Sequence, residues 1–267
     1  MNQTPKDTMQ VSLETLYSKH QLLPTLRAEF DGIAVQYPID EDHEFIRDML
    51  AQICLHRQAD PPTMVGILSP KYGSPQEVAD KLLLMVEFDY IDYNEVTGNF
   101  QIVYDVSQDV QSMLDRYQYP LPMIVKPDLI KDNFTTGYHT ITGSVILNGS
   151  PYFANVDICL DHLNRINAVP LALDYAVLSS NEARYIKPTR KEGESYEDFR
   201  KRLKQASVFY GVSVEVMTGL SDLSDVFYLT HKYDRRGRCY ASGYHVNTQG
   251  TDYNKAVIQL AVKETLT

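Results

Sequence analysis

The sequence predicts an α+β protein that is mostly helical, on three observations. Apolar residues recur at helical spacing in several segments whose opposite faces are polar or charged. Strand-like runs are short and lie beside Gly, Asn or Pro turn signals. A proline-rich stretch, Tyr119-Pro120-Leu121-Pro122-Met123-Ile124-Val125-Lys126-Pro127, breaks both patterns near the middle and reads as an extended connector. The expected division is an acidic helical N-terminal domain, residues 1–118, with a hairpin near 90–104. Residues 119–225 then hold the connector, a β-rich segment and further helices, and residues 226–267 form a C-terminal segment around an arginine-glycine motif.

Residues 12–30 carry Leu13, Leu16, Leu23, Leu26 and Phe30 at helical spacing, with Pro24 expected to bend or split the helix. Residues 41–58 repeat the pattern with Phe45, Ile46, Met49, Leu50 and Ile53. Pro61-Pro62 punctuates the chain; residues 63–68 predict a short helix and 69–73 a turn. Ser74-Pro75-Gln76-Glu77 is a capping box with proline in the first turn, starting a helix to Phe88 on Val78, Leu82, Met85 and Val86. Residues 90–94 and 100–104 predict strands joined as a hairpin through Val96-Thr97-Gly98-Asn99, and 107–117 a helix. Helix, turn, helix, hairpin is the layout of a winged helix. Its second helix, however, carries Glu77, Asp80 and Glu87 against Lys81 alone, and would repel phosphates in a major groove. If this part meets DNA, the hairpin tip is the expected contact.

Beyond the connector, Gly137-Tyr138 and Asn148-Gly149 mark turns around a β-rich segment with Val145, Ile146 and Leu147. Residues 155–178 return to helical spacing; Asp157 and Asp161 share a face there but lack the further acidic neighbours of a metal site. Residues 184–204 are basic (Arg184, Lys187, Arg190, Lys191, Arg200, Lys201, Arg202 and Lys204 against four acids) and read as a solvated helix face or a phosphate-tracking one. Residues 226–230 predict a strand into the motif. Asp252 is expected to cap a last helix over 253–263, with Ala256, Val257, Leu260 and Ala261 on one face.

Composition bounds the function classes. The 267 residues are 43% hydrophobic and 22% charged, as in ordinary soluble globular proteins. No stretch reaches the ~18 uninterrupted apolar residues of a membrane helix, and MNQTPKDTMQ lacks a signal-peptide core, so a cytoplasmic protein without a membrane partner is expected. Cys54, Cys159 and Cys239 show no CxxC spacing and the seven histidines no ligand spacing, which argues against a disulfide framework and a zinc site. The net charge of −10 is unevenly divided: residues 1–118 hold 19 acidic and 8 basic side chains, residues 119–267 hold 16 and 17. The acidity therefore sits in the N-terminal half, and the local field says more about partners than the bulk charge does.

The motif itself is Asp234-Arg235-Arg236-Gly237-Arg238. Guanidiniums grip oxyanions in a forked geometry and a glycine lets the backbone come close to a bulky group, so the pattern suits a nucleic-acid backbone, or else a solvated basic turn. No Walker or dinucleotide loop, G-x-S-x-G or H-E-x-x-H is present, and no catalytic residue is expected in this chain.

Taken further, Asp234-x-Arg236-Gly237-Arg238-x-Tyr240-Ala241 followed by Asn247-x-Gln249-Gly250-x-Asp252-x-x-Lys255 resembles the signature that opens the palm of the single-subunit RNA polymerases of T-odd phages and mitochondria. Upstream, Pro122-Met123-x-Val125-x-Pro127 and Gly137-Tyr138 are similar to that family's proline-rich and glycine-tyrosine segments. Leu163-Asn164-x-Ile166-Asn167 to Leu178 is similar to the helix before its thumb, and residues 63–117 to the region bearing the hairpin that wedges the upstream bubble edge. The resemblance runs from residue 60 to 265 and is most specific over 226–262.

The resemblance implies an N-terminal domain, a reduced thumb and the beginning of a palm. The family's two metal-binding aspartates, the lysine and tyrosine of its nucleotide-selecting helix and its promoter specificity loop lie beyond this motif, whereas the chain stops at Thr267. That layout is similar to the small subunit of the heterodimeric middle-gene polymerases of some lytic podophages. The expected protein is then a subunit of a two-chain DNA-directed RNA polymerase in an infected bacterial cytoplasm. A larger catalytic subunit holds the magnesium, and template DNA and nascent RNA are the other partners. Arg236 and Arg238 are expected on template or hybrid phosphates, Gly237 to permit close approach and Asp234 to orient an arginine. Tyr240, Gln249 and Lys255 are expected to line the same channel, with Lys232 and Arg235 peripheral. The interval from Leu178 to the motif is short for the family's thumb helices, and the hairpin is short, which implies a single-stranded-DNA-binding recruitment factor. The alternatives are a non-enzymatic nucleic-acid-binding accessory factor in phage transcription and a structural acidic adaptor.

Overall fold

A computed structural model describes residues 4–39, 42–56, 59–147, 156–180 and 188–263. These residues are mixed α and β, about half helical, with three two-stranded antiparallel sheets. No described helix is long and apolar enough to cross a membrane. The chain forms two units, Ser18–Gln118 and Met1–Tyr17 with Tyr119–Thr267.

The first helix, α1 (Pro5–Leu16), starts in a capping box that the sequence reading missed: Asp7 N donates to Thr4 Oγ1 at 3.3 Å and Thr4 N to Asp7 Oδ2 at 2.8 Å. The helix predicted over 12–30 therefore breaks at Tyr17-Ser18, not at Pro24. Pro24 lies inside α2 (Lys19–Ala34), which stays helical because Leu22, Leu26, Phe30 and Ala34 bury one continuous row. Residues 1–17, assigned by the sequence reading to the N-terminal domain, belong to the second unit. The reason is polar. The residues that α1 buries are Gln10 and Glu14; Gln10 Oε1 accepts from Ile124 N at 2.8 Å. Glu14 accepts from Thr140 N at 2.7 Å, Thr140 Oγ1 at 2.6 Å and His139 N at 3.1 Å. A buried carboxylate needs such donors, and residues 139 and 140 supply them.

In the Ser18–Gln118 unit, α3 (His43–Leu55) buries the predicted Phe45, Ile46, Met49, Leu50 and Ile53. α4 (Pro61–Tyr72) is twice the predicted length: Asp60 caps it, Pro61 and Pro62 sit where helical N–H groups have no partner anyway, and it continues through Pro70. α5 (Pro75–Glu87) begins at the Ser74 capping box. β1 (Ile91–Asn94) and β2 (Asn99–Ile102) form the hairpin, with Val96 at its tip 96% exposed. α6 (Gln108–Tyr117), capped by Ser107, completes the unit. Asp48 is buried beside this core and is held by Arg27 Nε at 2.6 Å, Tyr72 OH at 2.7 Å and Lys71 Nζ at 3.0 Å.

The second unit departs further from the sequence reading. The expected β-rich segment is one parallel bridge, Ile146 to Tyr233, and Asn148-Gly149 lies outside the described residues. The predicted helix over 155–178 is three elements: α7 (Leu160–Asn167), β3 (Leu171–Leu173) and α8 (Tyr175–Ser179). Pro170 cannot continue α7, and the apolar run behind it pairs as a strand. α9 (Tyr196–Leu223) has 28 residues, about 42 Å at the α-helical rise, and buries only Ser213, Val216, Met217 and Leu220 from its C-terminal half. β4 (His231–Tyr233) and β5 (Cys239–Ala241) flank the arginine-glycine motif. α10 (Asp252–Val257) is capped by Thr251 rather than Asp252, and the predicted helix over 253–263 stops at Val257. β6 (Ile258–Leu260) then pairs with β3, Leu173 opposite Ile258. One core cluster runs from Leu121 and Ile124 through Met217 and Leu220 to Phe227 and Val257, so no division falls at residue 225.

Candidate nucleic-acid interface

The second unit's hairpin brings Asp234, Arg236, Gly237, Arg238 and Tyr240 together. β4 and β5 are joined by a tight turn in which Asp234 N donates to Arg238 O at 2.8 Å and Gly237 N to Asp234 O at 3.0 Å. Gly237 has φ +79°, which favours glycine, and a Cβ there would meet nothing within 4 Å. Within the chain, Gly237 is thus required by backbone conformation and not by a close approach. The surface above it stays open.

Asp234 organises this turn from below. Its Oδ1 accepts from Arg236 N and Arg238 N, both at 2.9 Å, and its Oδ2 lies 2.6 Å from Nε and from an Nη of Arg238. Arg236 Nε is 3.7 Å from the same oxygen. Burial pushes the carboxyl up, but the Arg238 and Arg236 donors and the Arg238 charge outweigh it and hold Asp234 at about 2. The two arginine side chains remain 74% and 53% exposed, whereas the aspartate is 15% exposed. The Arg238 guanidinium also lies over the Tyr240 ring, 5.5 Å from its centre. The hairpin thus displays two oriented cations and an aromatic face on a rigid turn.

Gln249 takes a different position from the one expected. Its Oε1 accepts from Ala241 N at 3.0 Å and its Nε2 donates to Cys239 O at 2.9 Å, so the carboxamide stands in for a third strand along β5. Asn247 Oδ1 in turn accepts from Gln249 N at 2.7 Å. The Asn-x-Gln part of the motif is therefore a clasp on the arginine hairpin, and neither end of the Gln249 amide points to an external ligand. Lys255 sits on α10 and pairs with Asp252 at 2.7 Å. Lys232 is half-buried, and burial pushes its ammonium down.

Two supports were not legible in the sequence. His231, the first residue of β4, is buried and bonds Asn167 through Nδ1 at 2.9 Å; burial chiefly, with the His162 charge, lowers its imidazole to about 4, so it is neutral. His245 bonds Ser213 of α9 at 3.1 Å, and beside it Tyr244 stacks on Tyr119 with centroids 4.0 Å apart. Both histidines look like isolated surface residues until the fold closes over them.

The basic stretch before α9 is partly self-neutralised. Arg184 and Lys187 lie outside the described residues. Arg202 binds Glu194 through Nε at 2.8 Å and an Nη at 2.7 Å, holding that carboxyl at about 2, and Lys201 pairs with Glu197. Arg190 donates to the Glu194 carbonyl at 2.6 and 2.8 Å. Lys191, Arg200 and Lys204 are exposed, a sparser row than the sequence count suggests. Among the described residues no group of three or more His, Cys, Asp or Glu side chains could hold a metal. The chain matches no protein-family model, and no curated protein is significantly similar to it.

Proposed function

We propose that this chain is the non-catalytic subunit of a two-chain DNA-directed RNA polymerase, contributing contacts to template or hybrid phosphates beside an active site carried by a larger partner. One observation carries the reading. The hairpin whose residues resemble the polymerase palm signature presents Arg236 and Arg238, exposed, on a half-buried aspartate that holds Arg238 by a 2.6 Å contact. Phosphate recognition needs such a pre-set fork, and an arginine already tethered at one edge loses less freedom on binding. Among the described residues none fits a magnesium site, the Asp234 carboxylate being engaged by arginines; on this reading the magnesium of nucleotidyl transfer belongs to the partner. The reaction takes place in the cytoplasm of an infected bacterium, with a single-stranded-DNA-binding factor recruiting the template.

The reading is tested by co-purification and primer extension, with this chain alone, the partner alone and the two together. Extension requiring both chains is the expected result. Extension by this chain alone, or by the partner with no gain from this chain, refutes the proposal. A nucleic-acid-binding accessory factor is the second reading, favoured by the openness of the space above Gly237. It predicts tight single-strand binding with no stable partner chain.

A further inference from the structure

The second unit holds a small sheet whose margins are finished differently. Tyr228 exchanges hydrogen bonds with Met123, and its neighbour Phe227 does so with Leu171 of β3, whose other side pairs with β6. At the Met123 end, Ile124 N donates to the Gln10 side chain at 2.8 Å, so that margin is capped. The Gln249 carboxamide caps β5 in the same way. Among the described residues β6 has no such cap: its own carboxamide, Gln259, turns inward and donates to Leu173 O at 3.3 Å.

Register fixes which backbone groups are left over. Alternate residues of an antiparallel strand turn their N–H and C=O to the partner strand. Along residues 257–261 these are Val257, whose O accepts from Asp174 N at 2.7 Å, Gln259, opposite Ala172, and Ala261, whose N donates to Pro170 O at 3.0 Å. Ile258 and Leu260 therefore turn theirs outward, and no backbone hydrogen bond among the described residues reaches those groups. Water can satisfy them, but it does not cover Leu260 and Val262, which are 57% and 65% exposed. No charged side chain lies between Lys255 and Lys263, although charges are a common protection of an open strand edge.

We infer that the outer edge of β6 is a docking site for an extended, uncharged segment of a partner polypeptide, which adds as a further strand. Its backbone meets the N–H and C=O groups of Ile258 and Leu260, and its apolar side chains cover Leu260 and Val262. The alternation of donors and acceptors along the edge selects a polypeptide backbone, and the uncharged stretch gives phosphates nothing to bind. A second folded copy is disfavoured by size, since two outward residues fit a peptide-length segment whereas stable interfaces bury about 1,200 Å² or more. The edge takes no part in the phosphate contacts proposed above, so the inference stands or falls apart from the polymerase reading.

The probe is fluorescein-Gly-Thr-Val-Thr-Val-Thr-amide, titrated with the full-length chain and followed by anisotropy. Saturable binding is expected, with amide exchange at Ile258 and Leu260 slowed about tenfold or more at saturation. Leu260→Pro removes an outward N–H, leaves the bonds to β3, and weakens binding about fivefold or more. Val208→Thr, a change of exposed apolar surface on α9, leaves it within about twofold. No saturable binding, equal binding of the peptide N-methylated at every residue, equal binding by Leu260→Pro, or displacement by single-stranded DNA overturns the inference. So does slow exchange of the two amides in the free chain that is lost on dilution or in a chain ending at Lys263, since a second copy or the chain's own last residues then hold the edge. Circular dichroism melts confirm that each variant is folded before it is scored.

Discussion

Asp234 and Arg238 face each other across the β4–β5 turn, with Nε and an Nη of the arginine both 2.6 Å from one carboxylate oxygen. The pair sets where the arginine points and leaves half of its side chain in solvent. It is an orienting contact, since an exposed ion pair adds little to stability.

Arg238→Ala is therefore expected to leave the melting temperature almost unchanged. If Arg238 meets a template phosphate as proposed, the same change reduces the salt slope of template binding by about one. Binding isotherms at several salt concentrations decide this; an unchanged slope removes Arg238 from the interface.

Asp234→Asn keeps an acceptor for the two backbone N–H groups but loses the charge that holds Arg238. Single-strand affinity is expected to rise about twofold, from one negative charge fewer, while primer extension by the assembled enzyme falls. Raised affinity with unchanged primer extension would show that charge, not orientation, is what the aspartate supplies.

Gln249→Ala removes the clasp on Ala241 N and Cys239 O without touching any charge. Affinity should drop about threefold with the salt slope unaltered, since the same phosphates are met by a looser hairpin. A lower slope would return Gln249 to the role of a direct contact.

His231 supplies a pH test. Its folded value of about 4 lies below the ordinary 6.5, so its stabilisation is full above pH 6.5 and is lost as pH falls from 6.5 toward 4. The loss is on the order of 3 kcal/mol. Thermal melts at pH 7.5 and 4.5 should fall steeply for the native chain and less for His231→Gln; equal slopes assign the effect elsewhere.

Asp48→Ala leaves Arg27, Lys71 and Tyr72 around a lost carboxylate. Arg27 and Lys71 are 38% and 47% exposed and can rehydrate, so the expected destabilisation is about 2 kcal/mol and not the larger loss of a fully buried pair. Burial pushes this carboxyl up, but Tyr72, Arg27 and Lys71 lower it below its ordinary value. The native contribution is present above pH 3.8 and fades as pH falls further. Denaturant unfolding should place the loss in the Ser18–Gln118 unit.

Legibility followed the range of each interaction. The apolar faces of α3 and α5, the Ser74 capping box and the 91–102 hairpin were all readable, because each is settled by residues a few positions apart. The order Asp-x-Arg-Gly-Arg was readable for the same reason, since a turn with one left-handed residue needs a glycine and an aspartate within five positions.

Only the tertiary structure decided the rest. Residues 171–173 and 258–260 both lie in stretches with helical spacing, yet they pair as β3 and β6, where Gln259 reaches Leu173 O across 86 positions. α1 left its neighbours in sequence because the donors for Glu14 come from residues 139 and 140. Gln249 became a clasp because β5 had an unpaired edge. Local patterns set which face of a segment is apolar and where a turn is possible. Whether a short segment is helix or strand, and whether a polar side chain binds a ligand or its own backbone, depends on partners far along the chain, which only the folded chain brings near.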